Sequence, residues 1–220
     1  IVSIAMVMIF DIAPENNRVE NCTASNDIVG FEIKGGKNDN VENCTTSNNS
    51  DAGISLFPSD NIRVKNCVVE NSGGYGIFVK RESDNNIIEN CILLGAPTSP
   101  SSGIRFEEIS DNNRVRNCTI KNKYHGILNQ GSNNVIENCI IENNTYGIYQ
   151  TGYNNGIYHN RFLKNENQAW DNGSNHWDDG YPSGGNYWSD YTGVDNYGGE
   201  NQDIPGSDGI GDTPYSIPCL

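Results

Sequence analysis

Along most of this chain, apolar and polar residues alternate in runs of only three to five positions. Clusters of Asn, Asp, Ser and Gly separate the runs. Alternation at period two is strand periodicity, and the clusters are turn residues, so the pattern predicts many very short strands joined by tight turns. No stretch carries an apolar 3.6 period long enough for a helix. The runs pair into a two-part unit. The first part reads like Asn134-Val135-Ile136-Glu137-Asn138-Cys139-Ile140-Ile141-Glu142-Asn143. The second reads like Gly53-Ile54-Ser55-Leu56, Gly76-Ile77-Phe78-Val79 or Gly103-Ile104-Arg105-Phe106.

The unit recurs. Asn-Cys occurs at Asn21-Cys22, Asn43-Cys44, Asn66-Cys67, Asn90-Cys91, Asn117-Cys118 and Asn138-Cys139, and Asn160-Arg161 reads as a seventh copy with the cysteine replaced. A period near 22 residues with strands this short cannot bury its own core, whereas stacked copies pairing in parallel can. The expectation is an all-β, right-handed parallel β-helix of about seven coils, roughly 30 Å long at about 4.8 Å per coil. The Asn column belongs at a bend, where Asn tolerates the left-handed region and its amide reaches the copies above and below. Phe10-Asp11-Ile12 aligns with Phe31-Glu32-Ile33, which makes the apolar start part of an earlier coil and the chain a fragment. The longer step from Cys91 to Cys118 predicts a loop extruded at Gly95 to Ser102.

The cysteine column has three readings: small buried hydrophobes, which is preferred, disulfides between coils, or a soft-metal site. Parallel side-chain vectors are wrong for a disulfide, and a linear column does not converge on a metal. Cys219 lies outside the column.

Charge narrows the partners. The formal net charge is −14, with 14 basic residues. That argues against nucleic acid and anionic membrane surfaces, and the Asn- and Gly-rich composition suits an extracellular location. Ile1 to Phe10 is apolar but too short to span a bilayer.

Two regions follow: residues 1–168 as the β-helix, and 169–220 as a C-terminal cap rich in aromatics, Asp and Gly. All three tryptophans, Trp170, Trp177 and Trp188, fall in the second. A solenoid needs its last coil covered, and folded-over aromatics would do so. The Asp residues at 195, 203, 208 and 212 sit among glycines at a spacing suited to Ca²⁺. Asp195, Asp203, Asp208 and Asp212 are therefore the candidate metal ligands, with the Ile210 carbonyl beside them, against a bland reading of solvated turns. No organic cofactor is expected.

On the G-I-x-[IL] strand the outward positions stack as Asp11, Glu32, Ser55, Phe78, Arg105, Leu128 and Tyr149. The next column runs Lys34, Phe57, Lys80, Glu107, Gln130 and Thr151. Aromatics beside amides and charges suit a sugar, so the candidate carbohydrate site is Phe57, Phe78, Arg105, Glu107 and Tyr149, with Tyr75, His125 and Tyr146 just before the glycines. Acid-base hydrolysis wants two facing carboxylates. Glu107 has no second acid opposite, so no catalytic residue is assigned.

These coils resemble the parallel β-helix repeats of the NosD-like and pectate-lyase-like families. The tail from Asn175 to Tyr191 and from Gln202 to Tyr215 is similar to the end of NosD-like β-helix proteins on archaeal cell surfaces. The resemblance implies a secreted or surface-anchored protein, one module of a longer chain. The preferred reading is a non-catalytic surface module that binds polysaccharide or serves structure. The alternatives are a polysaccharide hydrolase or lyase, and a NosD-like copper-site maturation protein. For copper, His125, His159 and His176 with Met6 and Met8 form no cluster at ligand spacing.

Overall fold

The computed structural model describes residues 8–11, 15–95 and 101–219, with backbone alone for 8–11. Its regular structure there is entirely β, and among the described residues no helix is long and apolar enough to cross a membrane. Each coil donates one strand to each of three parallel sheets. In one coil these are Val135–Glu137, Ile140–Glu142 and Tyr146–Gln150. The sheet of G-I-x-[IL] strands, called the first sheet here, has eight strands in chain order, from Met8–Asp11 to Asn167–Asp171. The second sheet has seven, from Arg18–Glu20 to Gly156–Tyr158, and the third has eight, from Thr23–Ser25 to Tyr187–Trp188. This is a β-solenoid of about seven turns, the parallel β-helix that the period predicts.

Alternation aims one apolar residue per strand inward. Ile136, Ile141 and Ile148 of one coil are all 0% exposed. Burying each such side chain contributes about 1.5–3 kcal/mol, and the neighbouring coil supplies its packing partners.

The corners explain the asparagines. Three times per coil the chain turns on a left-handed residue, as at Asn133, Asn138 and Asn143 with φ of 56°, 54° and 55°. The residue after each turn is buried: Asn134, Cys139 and Asn144. The Asn134 Oδ1 accepts from the Asn113 N–H at 2.7 Å, and its Nδ2 donates to the Ser110 carbonyl at 3.0 Å. Such side chains satisfy corner amides that water cannot reach. The cysteines fill the same slot at one corner of the triangle, with five thiols buried, Cys22 half-buried and Cys219 exposed. Each ladder thiol points at the carbonyl two residues back, as Cys139 does to Glu137 at 3.2 Å.

Two registers differ from the sequence expectation. Ile140 pairs with Arg161, so Asn160 stands where the ladder has cysteine, and His159, with φ 57°, takes the turn. The pattern misled because Asn160 does the work of a corner asparagine: its Oδ1 accepts from Cys139 N–H at 2.9 Å and its Nδ2 donates to Ile136 O at 2.8 Å. Met8, not Phe10, pairs with Phe31, which puts Ile9 rather than Asp11 beside Glu32 and removes Asp11 from that outward column. A shift of two keeps the inward-outward alternation, so periodicity alone does not fix it. The expected loop from Gly95 to Ser102 falls mostly on 96–100, outside the described residues.

One rung of the Asn144 corner holds a lysine. Lys123 is 1% exposed, and its stem fills the layer left empty by Gly95, where a Cβ would lie 2.4 Å from Lys123 Cε. Its Nζ donates to the Ser72 carbonyl at 3.2 Å. Burial pushes the ammonium down to about 8. On the outside of the second sheet, Glu89 is pinned between Arg63 (Nε to Oε1, 2.7 Å) and Arg116 (Nη2 to Oε2, 2.6 Å).

The stack continues past 168/169. Asn175 and Asn186 carry two corner ladders onward, accepting from Asn155 and Asn160 N–H at 2.9 and 3.0 Å. Tyr187–Trp188 pairs with Arg161 and Phe162. Phe162, Trp188 and Tyr215 then stack at 4.3 and 4.1 Å, so aromatic rings close the end of the core.

Candidate functional site

The outer face of the first sheet collects the chemistry-bearing side chains. Glycine sets it up. A Cβ at Gly76 would lie 2.5 Å from the Gly103 carbonyl oxygen and 2.8 Å from Leu93 Cδ2. Only glycine lets this strand pass so close to the third sheet. The rings on either side of it, Tyr75 and Phe78, meet outside the core at 4.3 Å, over Val29 and Ala52.

Around them lies a charged half. Arg105 donates Nη1 to Tyr75 Oη at 2.7 Å and Nη2 to Gln130 Oε1 at 3.1 Å, and its guanidinium sits 5.3 and 5.4 Å from the Tyr75 and Phe78 ring centres. Glu107 lies 3.9 Å from Arg105 and accepts from the Arg81 N–H at 3.2 Å. Lys80 lies 3.6 Å from Glu32 and over the Phe57 and Phe78 rings. Four of the five residues expected to bind sugar, Phe57, Phe78, Arg105 and Glu107, are thus brought together. Phe78 is only 7% exposed, so it serves as floor beneath Lys80 and Arg105.

The other half is aromatic. Tyr149, the fifth, stacks on Trp170 at 4.3 Å with planes 7° apart, and meets Tyr146 edge-on at 5.4 Å. His125 touches Tyr124, Tyr146 and Tyr149 at 4.7, 5.6 and 5.4 Å. Burial, with help from the Arg105 charge, pushes the His125 imidazole down to about 4. Trp170 and Tyr124 were missed as site residues. The strand Asn167–Asp171 lacks the Gly-Ile signature; the 21-residue step from Tyr149 to Trp170 was the available signal.

The Asp residues lie elsewhere, in the cap. Asp212 accepts from Asn196 and Tyr197 N–H at 3.1 Å each, and Asp208 from Gly199 and Ile210 N–H at 3.1 and 3.0 Å. Asp195 accepts from Ser207 Oγ at 2.7 Å and from Asp208 and Gly209 N–H, which holds its carboxyl below the usual range. Asp203 is exposed on the same segment. A cleft of about 670 Å³ opens in the cap between Trp177, Tyr187 and Tyr191 and the 209–215 segment.

A family model described as "Periplasmic copper-binding protein (NosD)" matches residues 13–193. The chain belongs to the NosD family. No curated protein matches it. Among solved structures it is similar to the periplasmic alginate epimerase AlgG (TM-score 0.65, 20% identity, 71% of this chain and 38% of that one). It is also similar to the A-module of the mannuronan C-5 epimerase AlgE6 of Azotobacter vinelandii (0.54, 15%, 80% and 57%). A third is an alginate lyase from Paenibacillus sp. str. FPU-7 (0.53, 15%, 78% and 72%). At these identities the likeness is one of fold, and this NosD-family chain spans about two fifths of AlgG.

The family description raises copper. The thiols fit it poorly. They form a line along the axis, each directed at a backbone carbonyl; neighbouring thiols and burial push Cys44, Cys91 and Cys118 far up, and at Cys67 the lowering by Cys44 is outweighed by Cys91 and burial, which leave it at about 12. A cysteine that ligates copper does so as the thiolate. Among the described residues no three His, Cys, Asp or Glu side chains converge as a ligand set. His159 is engaged with Ser183 Oγ at 3.0 Å, and the Met6 and Met8 side chains lie outside the described residues.

Proposed function

We propose that this chain is a non-catalytic module of the cell envelope or extracellular space that binds polysaccharide on the outer face of its first sheet. The observation that carries the reading is the row of rings His125, Tyr146, Tyr149 and Trp170 across three adjacent strands. Flat rings accept the C–H face of a sugar, and neighbouring amides take its hydroxyls. Aromatic patches of this kind on a water-facing sheet mark interaction sites. The structural neighbours reported above are named for acting on alginate or mannuronan, and AlgG and the NosD description are both periplasmic, which supports a polysaccharide as the ligand and the envelope as the location. Other modules of a longer chain remain expected partners. Calcium at Asp195, Asp203, Asp208 and Asp212 is proposed as a tie for the cap.

The non-catalytic part rests on the carboxylates. Glu107 and Glu32 are each tied to a cation, and hydrolysis needs a free pair. One observation favours the alternative, a polysaccharide hydrolase or lyase: a neutral His125 beside three tyrosines and Arg105 has the makings of a base. A glycan array run beside a reducing-end release assay separates the two. Binding without release is expected, at least tenfold weaker in Trp170→Ala and unchanged in Tyr187→Ala, which sits in the cap cleft instead. Release abolished by Glu107→Gln or His125→Gln would make the chain an enzyme.

A further inference from the structure

The outer face of the first sheet divides by charge. Its N-terminal half holds cations, with Lys34 exposed at its edge, and the three nearest the rings already have an acid: Lys80 with Glu32 at 3.6 Å, Arg105 with Glu107 at 3.9 Å, Arg81 with Glu108 at 3.2 Å. Arg105 is further spent on Tyr75 and Gln130. From His125 onward the outward columns read Leu128, Tyr149, Trp170 and Gln130, Thr151, with Tyr146 and Asn167 alongside. None of these side chains carries a charge at neutral pH; His125, held down to about 4, stays uncharged as well. The chain around this face has a formal net charge of −14.

Resting on the polysaccharide reading above, we infer that the ligand is an uncharged glycan, seated on the Tyr146, Tyr149 and Trp170 rings and running along the solenoid axis. The charge balance decides the class. A polyuronate would meet a repelling field and find Lys80, Arg81 and Arg105, the cations nearest the rings, already paired at short range. A neutral sugar loses nothing to that field. The Tyr149 and Trp170 rings, stacked parallel one coil apart, give it apolar contact along their outer edges, with Tyr146 turned across them. Gln130, Thr151 and Asn167 offer amide and hydroxyl groups at the edge. The direction follows from the repeat: equivalent positions recur about every 4.8 Å along the axis, the length scale of one sugar ring, so successive residues of a polymer meet successive coils.

The test is calorimetric titration of the whole chain with two neutral polymers, mannan and a soluble β-glucan, and two uronates, alginate and polygalacturonate, at low and high salt. The expected result is binding to a neutral polymer that salt leaves unchanged, weakened at least tenfold by Trp170→Ala, and no uronate binding at either salt. Tyr149→Ala carries the same test should Trp170→Ala lose its fold, which a melting curve reports. Uronate binding equal to or tighter than neutral binding, weakened by Arg105→Gln, overturns the uncharged class but leaves the glycan face standing. Failure of every polymer to bind, or binding indifferent to both ring variants, overturns the glycan face itself.

Discussion

Lys123 is a charged group in a slot that Asn49, Asn144 and Asn165 fill in other coils. Its folded pKa, about 8, lies below the ordinary lysine value near 10.4. Folding therefore disfavours the ammonium. As pH falls from about 10.5 to about 8 the unfolded chain takes its proton first, and stability drops by about 3 kcal/mol before levelling off. Lys123→Met keeps the stem that fills the Gly95 layer and removes the charge. Urea melts at pH 7 and pH 10 should show this variant more stable than the parent at pH 7 and with a flatter pH dependence; identical slopes would mean that the amine is solvated. The thiols give a second residue-scale expectation. Cys22 and Cys219 should label in the native state and the other five only on unfolding. Cys139→Asn should cost under about 1 kcal/mol, since Asn160 already fills the equivalent slot one coil on and buried amides with partners are tolerated.

At the scale of the strand, pairing in register turns equivalent residues into columns, and a column can satisfy itself. On the second sheet, burial alone would push the Glu89 carboxyl up, but Arg63 and Arg116 outweigh it and hold it below the usual range. A depressed carboxyl contributes stability above its unfolded value near 4.3 that is lost as pH falls through the folded value. Glu89→Ala should cost about 1–2 kcal/mol at pH 7, because its arginines are exposed enough to rehydrate, and little at pH 3; chemical melts at the two pH values check it. The strands themselves were legible from alternation, and the coil from the Asn-Cys period. What the period could not reveal was that cysteine and asparagine are interchangeable at one corner. Chemistry hides that identity, and backbone geometry imposes it. Trp170 went unread as a ring of the face for a related reason: its strand keeps the register but has lost the Gly-Ile letters that advertise it.

For the molecule as a whole, the fold is a line of like units closed at one end by stacked rings. The proposed calcium tie predicts that millimolar calcium raises the melting midpoint over EDTA and shifts tryptophan fluorescence. The gain follows RT ln(1 + [Ca²⁺]/Kd), about 2.7 kcal/mol at a hundredfold excess over Kd. A midpoint indifferent to both would leave the Phe162, Trp188 and Tyr215 stack to hold the cap alone.

The three-cornered ladder also bears on how such a chain can change length. Asn113 bonds to Asn134, 21 residues on, much as Asn134 bonds to Asn155. Excising residues 112–132 would hand the Asn86 and Cys91 rungs partners of the same kind, Asn134 and Cys139, whereas removing half as many would misalign all three sides at once. Recombination between such repeats can therefore add or drop whole turns without redesigning a core, and each event resets how many sugar-length steps the outer face spans.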